Sequence, residues 1–184
     1  GGFEVALEPT FSTSIAQWVR SGGIYVQANL RGGGEYGKEW YDAGRKKNKQ
    51  NVFDDFAACA EHLIKNNYTS NKRLAIQGGS NGGLLTLATT LQRPELFGAI
   101  ISEVPVADMF RFHIGSFYGY GWKSDYGDMS IKEDFDTAAK YSPLHNVKPG
   151  FQHPPILIKT DADDNRVLPW HSYKMAAVLQ AKED

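Results

Sequence analysis

Ser80 stands in Gly78-Gly79-Ser80-Asn81-Gly82-Gly83, a G-x-S-x-G with a doubled glycine on each side. A serine hydroxyl attacks an acyl carbon when the backbone holds it clear of its neighbours and a base accepts its proton. The flanking residues supply the first condition. Leu74-Ala75-Ile76 is β-prone and leads into the glycines, and Leu84-Leu85-Thr86-Leu87-Ala88, rich in helix formers, follows them. A turn from strand to helix strains the serine backbone and lifts its hydroxyl above the sheet edge. Gly78 and Gly82 carry no Cβ, which is expected to let the helix start tight against the strand. Free N–H groups at the helix start aim at the same place, where an oxyanion would be stabilised. A phosphate-cradling loop would instead carry Lys-Ser/Thr after its last glycine. Leu84-Leu85 occupies that place and excludes it.

The elements that must position this serine read as an α/β chain. Phe11 to Arg20, with Ile15, Trp18 and Val19 on one face, predicts a helix, and Ile24 to Leu30 predicts the first clear strand. Arg31-Gly32-Gly33-Gly34-Glu35-Tyr36-Gly37 is either a surface turn or the rim of a site at a strand's carboxyl end. Arg45-Lys46-Lys47-Asn48-Lys49 reads as a solvated charged face. A helix capped by Asn51 or Asp54 carries Phe53, Phe56, Ala57, Ala60, Leu63 and Ile64 at helical spacing. The central strand and turn follow, then a helix from Asn81 to Leu91. Phe97 to Val106 reads as a strand buried on both faces. An aromatic- and glycine-rich stretch runs from Ala107 to Tyr126, a polar helix from Lys132 to Tyr141, and a strand from Pro154 to Thr160. Pro169 opens a last helix to Ala181. Alternating strands and helices predict a mostly parallel sheet with helices on both faces.

Composition bounds the function. A chain of 184 residues suits one domain, and 41% hydrophobic with 22% charged residues is a globular balance. A net charge of −1 gives no basic excess for nucleic acid. No apolar run approaches the roughly 20 residues of a membrane helix. A lone cysteine, Cys59, rules out a disulfide within the chain and reads as a small buried hydrophobe. No His/Cys/Asp cluster has ligand spacing, so neither metal nor organic cofactor is implied. Nothing at the start reads as a signal peptide, and the cytoplasm is the expected compartment, with the periplasm as the alternative.

Partners for Ser80 should follow it in the order acid, then histidine, each at a strand's carboxyl end. The loop after Ile156–Lys159 offers Asp161, Asp163 and Asp164 as the acid. Of the five histidines, His62, His113, His145 and His153 precede that loop, and His171 opens the helix directly after it. All five read as structural, which places the expected base beyond Asp184.

Several blocks together carry a family resemblance across the chain. Gly78 to Leu85, Asn29 to Gly37, Lys49 to Phe56, Tyr141 to Val147 and Arg166 to Ser172 resemble the catalytic domain of prolyl oligopeptidases. The resemblance implies an α/β-hydrolase fold, truncated here at both ends, that cleaves short proline-containing peptides after proline by a Ser-Asp-His mechanism. It matches Ser80 to the nucleophile and the Asn81 N–H to one oxyanion donor. Alignment on Arg166-Val167 matches Asp164 to the acid, with Asp163 as the lesser candidate, and sets Asn165 where the family carries a second aspartate. Arg166 matches the arginine that binds the substrate's backbone carbonyl. Trp122 matches the tryptophan that stacks on the proline ring, and Tyr126, Val106, Val167 and Phe3 match the rest of that pocket.

The resemblance also implies parts outside residues 1–184: a tyrosine oxyanion donor just before Gly1, a histidine past Asp184 and a β-propeller that admits only small peptides. On that reading the isolated chain is expected to show no appreciable turnover. Two other readings compete. One is a serine hydrolase with basic-residue, acylaminoacyl or ester specificity, which for Lys or Arg would want carboxylates in the pocket. The other is a non-catalytic α/β-hydrolase binding module, which would commonly have lost the serine or the acid.

Overall fold

Ile76, Ile100 and Ile156 stand side by side across three parallel strands, β1 (Ala75–Gly79), β2 (Ala99–Glu103) and β3 (Ile156–Lys159). The computed structural model describes residues 1–182, and the sheet order is β1-β2-β3. Gly79 pairs with Glu103 and Glu103 with Lys159, so the three carboxyl ends share one edge. Because side chains alternate along a strand, Ile76, Ile100 and the fully buried Ser102 point to one face. Gln77, Ile101 and Leu157 point to the other. There Glu103 accepts hydrogen bonds from Gln77 and from the Lys159 ammonium.

Eight α-helices complete the described residues: α1 (Thr13–Arg20), α2 (Lys38–Asp42), α3 (Gln50–Lys65), α4 (Asn81–Gln92), α5 (Lys123–Tyr126), α6 (Lys132–Tyr141), α7 (Pro143–Asn146) and α8 (Trp170–Lys182). The sheet and α4 are the centre of the packing. Leu84 and Ala88 join Phe53, Val106 and Tyr141 in one cluster, while Leu87 meets Met175 and Leu179 of α8 in another. Ala57 and Ala60 of α3 pack on Ile76 and Ile100. Buried almost all round, α4 pairs two of its three threonines: the Thr90 hydroxyl donates to the Thr86 carbonyl, and the Thr86 hydroxyl to Ser102 Oγ, which donates to the Gly83 carbonyl. Thr89 Oγ1 is buried without a hydrogen-bond partner among the described residues.

Most predicted elements are present, and the α/β-hydrolase class stands. Three local readings change. Ile24 to Leu30 is not a strand; no ladder joins it to the sheet, and Ile24, Tyr25 and Val26 are exposed. It lines, with the free edge of β1, a groove of about 1600 Å³. Strand propensity without a hydrogen-bonded neighbour makes no sheet. Within the Phe97–Val106 run the strand narrows to Ala99–Glu103, of which only Ile100 and Ser102 are buried, because the helical packing lies on their side. The cap of α3 is Lys49, continuing out of a 3-10 turn, so neither Asn51 nor Asp54 caps it. Asn51 instead donates to the Ala43 carbonyl, and Asp54 accepts from Gln50.

At the start of α8, His171 is 2% exposed and its Nδ1 accepts the backbone N–H of Asp108 at 3.0 Å. Burial pushes this imidazole down to about 4, against a partial opposing pull from Asp108. The folded state thus holds the ring neutral where an unfolded chain, with its ordinary value near 6.5, would protonate it. Stability from this group is complete above pH 6.5 and is lost as pH falls from there towards 4, by roughly 3 kcal/mol. Urea denaturation of the protein carrying this chain should show that acid limb between pH 7 and 4.5. His171→Gln, which keeps an acceptor for Asp108, should be measurably flatter over the same range.

Candidate active site

The turn at Ser80 is built from close backbone contacts. Ser80 has φ 57° and ψ −114°, a region that L-residues avoid. Its N–H donates to the Glu103 carbonyl at 2.8 Å, tying the turn to the end of β2. A Cβ on Gly78 would meet the Gly82 carbonyl at 2.3 Å, and one on Gly83 would meet Pro105 Cα at 2.6 Å. Gly82 itself faces open space. The expected need for glycine therefore holds at Gly78, while the second tight position is Gly83 rather than Gly82. The Ser80 hydroxyl makes no hydrogen bond among the described residues, and Asn81 follows as the first residue of α4.

Six of the sequence-derived site residues line one groove: Phe3, Ser80, Asn81, Trp122, Tyr126 and Arg166. Val106 and Val167 lie behind it in the same apolar cluster as Trp122 and Tyr126, with Phe3 packed on that cluster. The aromatic wall is arranged edge to face, with Phe3 and Tyr126 ring centres 5.5 Å apart and Trp122 and Tyr126 6.5 Å apart. The Arg166 guanidinium is exposed over the Tyr118 ring at 5.4 Å.

Asp164 does not line that groove. It lies on the loop after β3, whose carboxyl end stands two strands from that of β1, about 10 Å by ordinary strand spacing. Its Oδ1 accepts the N–H groups of Arg166 and Val167, each at 2.9 Å, while Oδ2 has no hydrogen bond among the described residues. One oxygen thus fixes the carboxylate and the other remains available to an imidazole N–H. Asp163 is exposed and only its own N–H is engaged, with Asp161. No histidine among the described residues lines the groove. His171 is held at Asp108, His145 bonds Ser142 Oγ at 2.7 Å, and His62 neighbours Asn66.

The basic run contains the residue that sequence reasoning missed. Lys49 is 1% exposed, so the reading of Arg45–Lys49 as a solvated face fails at its last position. Its ammonium lies 3.8 Å from Asp125 Oδ1 and donates to Asn81 Oδ1 at 3.3 Å. Burial lowers its pKa to about 8, with Asp125 holding back the fall. Asp125 has no exposure; Oδ1 accepts the Phe3 N–H and Oδ2 the Tyr41 hydroxyl. A signal was available: Lys49 precedes the buried Val52 and Phe53 by three and four residues, on their side of α3.

The profile of the prolyl oligopeptidase family (peptidase S9) matches residues 9–184. The chain is 51% identical over 182 residues to a prolyl endopeptidase of Dictyostelium discoideum, covering 98% of this chain and 24% of that protein. It is 49% identical to a prolyl endopeptidase of Elizabethkingia miricola over 100% of this chain and 26% of that one. Among solved structures, a prolyl endopeptidase superposes with a TM-score of 0.97 at 51% identity, over 100% of this chain and 27% of its own. A post-proline cleaving enzyme from Rickettsia typhi gives 0.95 at 44%, over 99% and 26%. The chain spans about a quarter of the length of the curated relatives it matches.

The glycine geometry makes a sharp contrast between neighbours. Gly83→Ala should destabilise the protein by about 1–3 kcal/mol, since the backbone at Pro105 and Glu103 cannot yield. Gly82→Ala, open to solvent in a helix's first turn, should be neutral or stabilising by about 0.5–1 kcal/mol. Paired thermal unfolding curves check both.

Proposed function

Because this chain belongs to the prolyl oligopeptidase family, we propose that it carries the nucleophile, the acid and the proline pocket of a serine endopeptidase that cleaves short peptides after proline. One observation carries the reading: the strained Ser80 opens into the same groove as the Trp122–Tyr126 aromatic wall. A proline ring laid against the Trp122 indole gains flat apolar contact at little cost in side-chain freedom. That pose sets the following carbonyl carbon beside Ser80 Oγ.

The hydroxyl attacks as its proton passes to an imidazole, which Asp164 orients and whose positive charge it stabilises. The Asn81 N–H, at the start of α4, takes the developing oxyanion. Arg166 steadies the peptide from the rim through a backbone carbonyl. The imidazolium returns the Ser80 proton to the leaving amine as the amide C–N bond breaks. Water, giving its proton to the same imidazole, then releases the acyl group from Ser80 as the new carboxyl terminus. The imidazole, the second oxyanion donor and a β-propeller that screens out folded proteins belong, in this proposal, to the parts of the full-length protein outside residues 1–184.

Specificity for Lys or Arg is disfavoured by the wall itself. Asp125, next to Tyr126, is fully buried and both its oxygens are already engaged, so it offers nothing to an incoming cation. A non-catalytic role is disfavoured by the backbone strain at Ser80, which a binding surface does not need.

In the full-length protein, proline peptides should be cut far faster than arginine peptides, and Ser80→Ala should lose turnover by about a thousandfold or more together with fluorophosphonate labelling. Trp122→Ala should raise KM for proline substrates about tenfold through lost ring contact. Residues 1–184 alone should show no appreciable hydrolysis. A preference for arginine peptides, or labelling that survives Ser80→Ala, would overturn the assignment.

A further inference from the structure

Asn81 is held by its side chain as well as by the helix it begins. Its Oδ1 accepts two hydrogen bonds, from the Tyr126 hydroxyl at 2.9 Å and from the Lys49 ammonium at 3.3 Å. Its Nδ2 donates to the Gly1 carbonyl at 3.3 Å, and a Cβ on Gly2 would strike that same nitrogen at 2.2 Å. The residue after Ser80 is therefore clamped between three segments distant in sequence: the lead into α3, the end of α5 and the Gly1–Phe3 strand of chain.

Beneath this clamp lies a buried charge pair. Lys49 stands at the N-terminus of α3, where the helix dipole disfavours a cation, and it is withdrawn from water. Both effects make an ammonium expensive there unless a carboxylate offsets them. Asp125 does so, and it spends its remaining valence on function-bearing neighbours: its oxygens hold the Phe3 N–H at 3.0 Å and the Tyr41 hydroxyl at 3.1 Å. Lys49 also lies 5.3 Å from the centre of the Tyr126 ring. Burial and Asp125 keep the Tyr126 phenol protonated, so it remains a donor to Asn81. An apolar pair of the same volume would fill this space without fixing Asn81.

We infer that Lys49 and Asp125 are positioning residues for the reaction proposed above: the buried pair locks the Asn81 side-chain amide and thereby sets the oxyanion-donating N–H against the Gly1–Phe3 segment. Neither residue touches the reacting atoms. Their effect passes through Asn81, which is used only as charge develops on the substrate oxygen. Loosening it should therefore lower kcat and leave ground-state binding in the Trp122 pocket nearly unchanged.

The inference rests on the peptidase reading, and the test separates the two. Full-length protein carrying Lys49→Met with Asp125→Asn, which removes both charges and keeps the volumes, is compared with wild type. Folded sites are counted by exhaustive fluorophosphonate labelling. Expected is a kcat per labelled site lower by about tenfold or more, with KM within about twofold. The second-order rate of Ser80 phosphonylation, which needs the oxyanion site but no proline, should fall in parallel. Fewer labelled sites with unchanged kcat and phosphonylation per site would mean a purely structural pair and overturn the inference, as would a change confined to KM.

Should the double variant not fold, Tyr41→Phe removes one hydrogen bond from Asp125 and keeps both charges. It is expected to show the same pattern at about twofold to fivefold. Unchanged kcat and phosphonylation in Tyr41→Phe would equally overturn the proposal. If wild type fails to cut after proline, the peptidase reading falls by itself, while the phosphonylation rates still decide the role of the pair.

Discussion

Ser80 holds a backbone conformation that costs an L-residue on the order of 1–3 kcal/mol, and much of the structure serves to keep it there. The strain is confined by contacts no side chain could share: Gly78 against the Gly82 carbonyl, Gly83 against Pro105, and the Ser80 N–H on the Glu103 carbonyl. These contacts need β1 and β2 in the observed parallel register, and that register depends on the isoleucines at Ile76, Ile100 and Ile156 lying under α3 and α4. The apolar core and the exposed hydroxyl are thus one construction. A one-residue slip would send the isoleucines outward and unseat the turn together.

A second constraint acts at right angles to the sheet. The same parallel register sets the end of β3 on the edge that carries Ser80, so the loop bearing Asp164 leaves the sheet two strands away from it. The aromatic wall reaches the groove from α5 and from the Gly1–Phe3 segment. The fully buried Lys49–Asp125 pair joins these pieces through Asn81, Phe3 and Tyr41. Charge buried so deeply is poor as a source of stability. As a device that admits one arrangement of three segments it is far more selective than an apolar contact, because misplacing any partner leaves a buried charge unmatched.

Local chemistry made much of this legible beforehand. The helix from Lys132 to Tyr141, the nucleophile turn and the strand before the acid loop follow from periodicity, glycine placement and β-prone runs, which depend on neighbours only a few residues away. Ile24 to Leu30 shows the limit of that logic. Its side chains are those of a strand, yet a strand exists only through hydrogen bonds to another, and no ladder joins this segment to the sheet. Lys49 shows the limit from the other side, since four charges in five residues read as surface whichever one of them turns inward.

The sequence by itself points to Ser80 in a strand-to-helix turn, to the acidic loop after β3 and to most of the strands and helices, because each is written in residue type and short-range spacing; the pocket residues follow only from the family resemblance. Tertiary structure alone decided that Gly83 rather than Gly82 is the tight position, that Trp122 and Ser80 open on one groove, and that Lys49 is paired with Asp125 beneath Asn81. Those facts depend on backbone packing and on the meeting of segments far apart in the sequence. Spacing along a chain does not encode such meetings; they follow from the way the core closes.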